Sequence, residues 1–188
     1  MWLGLILVLL AVAGVMIYNG LVNLRERGDA AWADIDVQLK RRHDLIPNLV
    51  EVVKGYAAHE RDALESVVRA RTEAREASGP EARGRVEAEL SGSLRSLFAL
   101  SESYPDLKAN GNFLELQDAL RQVEDDLSRA RRYYNAVIRD YNTKVRSIPQ
   151  NLVARASGFR PGEFFQIDES DRATPQVRLD GGGGSGGG

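Results

Sequence analysis

The chain has 188 residues and a mass of 20.7 kDa, enough for one modest domain and an appendage. Its 25 Lys and Arg face 27 Asp and Glu, a formal net charge of -2, which lacks the basic excess of a nucleic-acid-binding protein. Cysteine is absent, so a disulfide scaffold, a thiolate nucleophile and Cys-based metal sites are excluded.

Every Asp, Glu, Lys and Arg lies at or beyond Arg25, and residues 1–24 read as a membrane anchor. The stretch from Trp2 to Tyr18 is almost wholly apolar, and continued to Val22 it would span about 31 Å as a helix. That matches the hydrocarbon core of a bilayer, with Trp2 and Tyr18 placed as interface anchors. Ala11-Val12-Ala13 imitates a signal-peptide cleavage site, but no basic residue precedes the apolar run and the run continues past it. Arg25, Arg27, Lys40, Arg41 and Arg42 all follow the span, so the positive-inside bias predicts a cytoplasmic C-terminal domain and an N-terminus outside.

Beyond the span, Leu21, Leu24, Gly28, Ala31, Ile35 and Leu39 recur at steps of three or four, the period of a helix with one buried stripe. The stripe continues through Leu45, Ile46, Leu49, Val50 and Val53 and resumes at Leu64, Val67 and Val68. A single long helix, kinked at Pro47, accounts for it. Asp44, in the turn before that proline, is placed to hydrogen-bond a freed amide. Ser78-Gly79-Pro80-Glu81 is a break. The next helix turns Val86, Leu90, Leu94, Leu97, Phe98 and Ser101 inward and ends near Tyr104-Pro105, before a loop over residues 106–112. A heptad seam then runs over 36 residues: Phe113, Leu116, Leu120, Val123, Leu127, Ala130, Tyr134, Val137, Tyr141, Val145 and Ile148.

The predicted fold is all-α: an N-terminal transmembrane helix continuing into an elongated antiparallel bundle of three long helices plus a short C-terminal helix, followed by an extended tail. The divisions are residues 1–24 (anchor), 25–156 (helical bundle), 157–179 (extended, aromatic-bearing) and 180–188 (a Gly/Ser tail, expected to be disordered). Gln176 to Leu179 has the composition of a short strand.

No constellation dictates a reaction. His59-Glu60 begins like a zinc-protease motif, but the second histidine is replaced by Ala63, and the pair reads as helix surface. Asp34, Asp36, Asp44 and Glu51 crowd near Pro47. Spacing pairs Asp36 with Lys40 on a helix surface, so acid–base chemistry with His43 is the weaker alternative. Lys40-Arg41-Arg42 reads as a solvated face or a contact for an acidic partner surface. Trp32 and the tyrosine pairs are core or seam filling. Asn135 and Asn142, two turns apart beside tyrosines, read as structural, satisfying neighbours across the bundle or fixing the chain beyond Gln150. Phe159, Phe164 and Phe165 offer a contact surface for another protein or a second copy. No metal, cofactor, nucleic-acid or small-molecule site is evident. The expected partners are the lipid bilayer through residues 1–24 and a protein or a second copy of the chain.

Two blocks carry a family resemblance: AWADIDVQLKRRHDLIPNLVEVVKGYAAHE from Ala31 to Glu60, and YYNAVIRDYNTKVRSIPQNLVA from Tyr133 to Ala154. With Gly158-Phe159, Glu163-Phe164-Phe165 and YNGLVNLR at Tyr18 to Arg25, the chain up to about Leu179 resembles the LemA family. The resemblance implies a bacterial cell-membrane protein with one N-terminal span and a soluble helical bundle, and no established catalytic residues. Some members are linked to membrane proteases and others to the remodelling or organisation of internal membranes. Where the family usually has phenylalanine before Gly158, this chain has Ser157. The function so implied is a non-enzymatic membrane-anchored scaffold, with an adaptor or regulatory partner of a membrane protease as the alternative and a hydrolase third.

Overall fold

One helix, α1, runs unbroken from Trp2 to Tyr56, 55 residues or about 82 Å. Its first third is uncharged and exposed to the surroundings on nearly every side, as a membrane span must be, and the rest carries the buried stripe of a soluble domain. No loop separates the two. Residues 2–165 are described in this computed structural model, so the strand expected at Gln176–Leu179, the remainder of the extended segment and the Gly/Ser tail lie outside the described residues.

Among the described residues five further helices follow: α2 Arg61–Glu76, α3 Pro80–Ser101, α4 Pro105–Lys108, α5 Gly111–Arg146 and α6 Gln150–Ala156. Helix α5 returns antiparallel along α1, so that Tyr141 and Val145 near its end meet Leu21 at the end of the span. In the half of the domain far from the span, the α2–α3 hairpin adds two more helices. Ile46, Leu49, Val53, Val67, Leu90, Leu97 and Phe113 form one core there. The hairpin turn reaches back to the groove beside Trp32: Arg83 pairs with the Asp36 carboxylate, its guanidinium lies 5.5 Å from the Trp32 ring centre, and Pro80 lines the cleft that Arg25 and Asp29 share. Nearer the span, α1 and α5 have no third helix of comparable length, and the chain after α6 fills the groove instead.

The single helix predicted to pass from Val53 into the Leu64 stripe is divided at Ala57–Glu60. There the amide of Ala57 still reaches the carbonyl of Val53, and a turn closes from Glu60 to Ala57. The reason is burial. Folded back, Leu64, Val67, Ala70 and Ala74 cover α1; left straight, they would face water. His59 therefore sits in a turn rather than on a helix surface. Pro47, by contrast, lies exposed inside α1 without ending it.

The Gly79-Pro80 break stands as the sequence indicates, with Gly79 at φ +84°, a conformation that favours glycine, and Pro80 opening α3. The loop expected over residues 106–112 contains α4, which buries Leu107, and the cap of α5, where Asn110 Oδ1 accepts from the Phe113 amide at 3.0 Å. Ile148, the last residue of the predicted seam, is 82% exposed, because α5 ends at Arg146.

Candidate functional site

Asn135 and Asn142 are seven residues apart on α5, so both face the groove beside α1. Each uses its amide as a peptide mimic. Asn135 Nδ2 donates to the carbonyl of Phe165 and Oδ1 accepts from the Phe165 amide, both at 3.0 Å. Asn142 does the same with Gly162, at 2.9 and 2.8 Å. An irregular segment, with no strand beside it among the described residues, thereby has backbone groups of Gly162 and Phe165 satisfied. Tyr134 adds a third tie, its hydroxyl donating to the Glu163 carbonyl at 2.9 Å. Gly162 lies so close to α5 that a Cβ there would be 3.1 Å from Ile138 Cδ1.

Aromatic rings complete the clasp. Trp32 is half-buried between Tyr134 and Phe165, with centroids at 5.4 and 5.9 Å, and the Arg131 guanidinium lies 4.9 Å from the centre of the Phe165 ring. Phe159 packs edge-on against Tyr18 of the span at 5.5 Å. Of the three phenylalanines expected to form a contact surface, Phe165 is fully buried and Phe159 partly so. That expectation is corrected for Phe165; Phe164 is 41% exposed. Burial, reinforced by the Glu163 and Asp29 carboxylates, pushes the Tyr134 phenol up to about 12, and burial also raises Tyr141. Beneath the segment a cleft of about 450 Å³ opens between Arg25, Asp29, Tyr134, Tyr141 and Arg160.

A second polar cluster lies in the half of the domain away from the span. Glu87 of α3 has no solvent exposure. Its Oε2 accepts from Arg42 Nη1 at 3.0 Å, and its Oε1 lies 2.6 Å from His43 Nε2. Arg42 Nη2 reaches Ser91 Oγ at 2.7 Å and Glu124 Oε2 at 3.0 Å, which ties α1 to both α3 and α5. The Lys40-Arg41-Arg42 reading is therefore corrected in part: Lys40 and Arg41 are exposed, but Arg42 is buried and its acidic partner is internal. The spacing contained this information. Ile35, Leu39, Arg42, Ile46, Leu49 and Val53 alternate by four and three, and so do Glu87, Leu90, Leu94, Leu97 and Ser101 by three and four. A charge in each seam marks a buried pair.

The groups proposed for hydrolysis do not converge. Asp34, Asp44 and Glu51 are exposed, Asp36 is bound to Arg83 rather than Lys40, and His43 is turned to Glu87. Asp44 does not serve the backbone beside Pro47. The freed group there is the His43 carbonyl, which accepts from Arg71 Nε of α2 at 2.7 Å. Among the described residues, no three His, Cys, Asp or Glu side chains are placed to hold a metal ion.

Residues 31–179 match the sequence profile of the LemA family. Two relatives from Paramagnetospirillum magneticum, magnetosome proteins MamQ 1 and MamQ 2, are each 28% identical over 192 aligned positions, which cover 87% of this chain and 71% of the relative. Magnetosome protein MamQ of Magnetospirillum gryphiswaldense is 24% identical over the same shares. Protein LemA of Metamycoplasma hominis is 25% identical over 138 positions, covering 71% of this chain and 61% of that protein.

Proposed function

The chain belongs to the LemA family, and from that premise we propose that it is a non-enzymatic membrane-anchored scaffold whose rigid domain presents contact surfaces at fixed distances from the bilayer. The observation that carries this reading is the continuity of α1 from the apolar span to the distal turn, with no loop between. Counted from Val22, the remaining 34 residues of the helix hold the distal turn about 50 Å from the membrane. Such a rod transmits position rather than chemistry, and its buried polar residues Arg42, His43, Glu87, Ser101, Asn135 and Asn142 are engaged in internal bonds. Following the positive-inside bias, we place the domain in the cytoplasm. Sealed-cell labelling of a cysteine introduced by Lys54→Cys tests that side: protection from an impermeant maleimide supports it, and labelling from outside reverses it.

The scaffold reading is tested by photo-crosslinking in intact membranes, with reactive groups at the exposed positions Lys40 and Phe164. Reproducible adducts with a second copy of the chain support a self-assembling scaffold. A single membrane protease captured at both positions would replace that reading with the adaptor. No adduct from either position, with the chain intact in the membrane, counts against both.

A further inference from the structure

The end of the domain nearest the span has a composition unlike a surface meant for water. Helix α6 and the last turns of α5 pack on α1 over Ile17, Leu21 and Leu24, where Tyr141, Val145 and Ala154 form a small core with them. Ile17 and Leu21 belong to the apolar span, so α6 lies at the depth where α1 leaves the hydrocarbon. Lys144 confirms the level: its ammonium is 4.0 Å from where a Cβ on Gly20 would be. At that level Ile148, in the turn between α5 and α6, and Leu152, in the first turn of α6, are 82% and 65% exposed. Ala154 faces the domain core and Leu152 faces away from it. Exposed cations lie on the same elements: Lys144 and Arg146 at the end of α5, Arg155 on α6 and Arg160 after it, with Arg25 and Arg27 just past the span on α1. None of these six forms an ion pair among the described residues. Glu26, Asp29, Asp140 and Glu163 are the acids of the same stretches, leaving a net positive corner.

We propose that this corner is a second membrane contact: the α5–α6 turn lies in the interfacial layer of the leaflet through which α1 emerges. Ile148 and Leu152 enter the boundary between headgroups and acyl chains, while Lys144, Arg146 and Arg155 extend to anionic lipid phosphates. Short apolar faces flanked by cations bind lipid surfaces in this way, through apolar burial plus attraction to anionic headgroups. The occupant is the bilayer itself because α1 fixes the corner against it. A helix packed on the last turns of a span cannot stand clear of the headgroups. The consequence is an orientation device. One span leaves a rod free to rotate and tilt, whereas an off-axis contact sets which face of the domain points along the membrane.

The chain has no native cysteine, so single labels are clean. Full-length protein carrying Ile148→Cys or Leu152→Cys, each with a nitroxide, is reconstituted in phosphatidylcholine vesicles with and without phosphatidylglycerol. Leu114→Cys, partly exposed near the start of α5, is the aqueous control. Depth is read from relaxation by lipid-soluble oxygen against a water-soluble nickel chelate. The proposal expects both corner labels to favour oxygen at least tenfold more than the control does. It also expects Lys144→Gln with Arg155→Gln to reduce the phosphatidylglycerol-dependent part of that preference, by about fivefold per cation removed. Nickel-accessible corner labels overturn it. So does shielding from both reagents, whether relieved by deleting residues 166–188, which assigns the corner to the chain's own tail, or accompanied by spin–spin broadening that vanishes on dilution with unlabelled protein, which assigns it to a second copy.

Discussion

Arg71 on α2 donates its Nε hydrogen to the carbonyl oxygen of His43 on α1 at 2.7 Å, across 28 residues of sequence. That carbonyl would ordinarily accept from the amide of residue 47, which is proline and has none. The α2–α3 hairpin thus repairs, from outside, the hydrogen bond that Pro47 removes from α1. This lets a proline sit inside a helix that continues nine residues beyond it.

The two residues are accordingly coupled. Arg71→Ala should lower stability by about 1.5–3 kcal/mol, the range for a hydrogen bond from a charged group. In a Pro47→Ala background the loss should be much smaller, since the new amide takes the carbonyl. Urea unfolding of all four proteins in detergent measures the coupling; equal losses in both backgrounds would mean that Arg71 acts only through packing.

The buried cluster should be intolerant of losing one partner. Glu87→Ala leaves the Arg42 guanidinium buried with only the half-exposed Glu124 to compensate, and a loss of about 3–5 kcal/mol is expected. Replacing both partners, Arg42→Met with Glu87→Leu, should recover most of it. Lys40→Ala, on the exposed side of the same helix, should stay within about 0.5 kcal/mol. The same denaturant titration distinguishes the three.

The asparagine clasp makes a local prediction. Asn135→Ala removes both bonds to Phe165 and should speed hydrogen exchange at that amide, while Asn142→Ala should act first at Gly162. With two bonds lost in each case, a destabilisation of about 1–3 kcal/mol is expected. Exchange unchanged at both amides would show that the aromatic contacts alone hold the segment.

Tyr134 gives the clasp an alkaline limit. Its phenol ionises near 12 in the folded chain against 10 when unfolded, so between those values the folded state retains the proton and the unfolded state has lost it. The stabilisation is fully present below pH 10 and falls as pH rises toward 12. Tyr134→Phe, which cannot ionise or donate to Glu163, should be less stable at neutral pH and show a flatter profile from pH 10 to 12. A parallel pair of profiles would contradict this.

The sequence by itself determined the local terms. An uncharged run of membrane-spanning length, the stripes of α1 and α5, the Gly79-Pro80 break and the absence of a metal-ligand pattern all depend on residue order and helical period. Tertiary structure decided the rest, because it depends on what a side chain meets. The division at Ala57–Glu60 has no proline or turn dipeptide to announce it; α2 folds back because its stripe needs α1 as cover. Phe165 looks like an exposed aromatic until the groove beside Trp32 and Tyr134 receives it. Arg42 reads as surface charge beside Lys40 and Arg41; its seam spacing turns it inward, but only the packing of α3 on α1 supplies Glu87 and makes it an internal strut. A charge's meaning is fixed by its partner across the bundle, and partners are chosen by packing rather than by spacing along one helix.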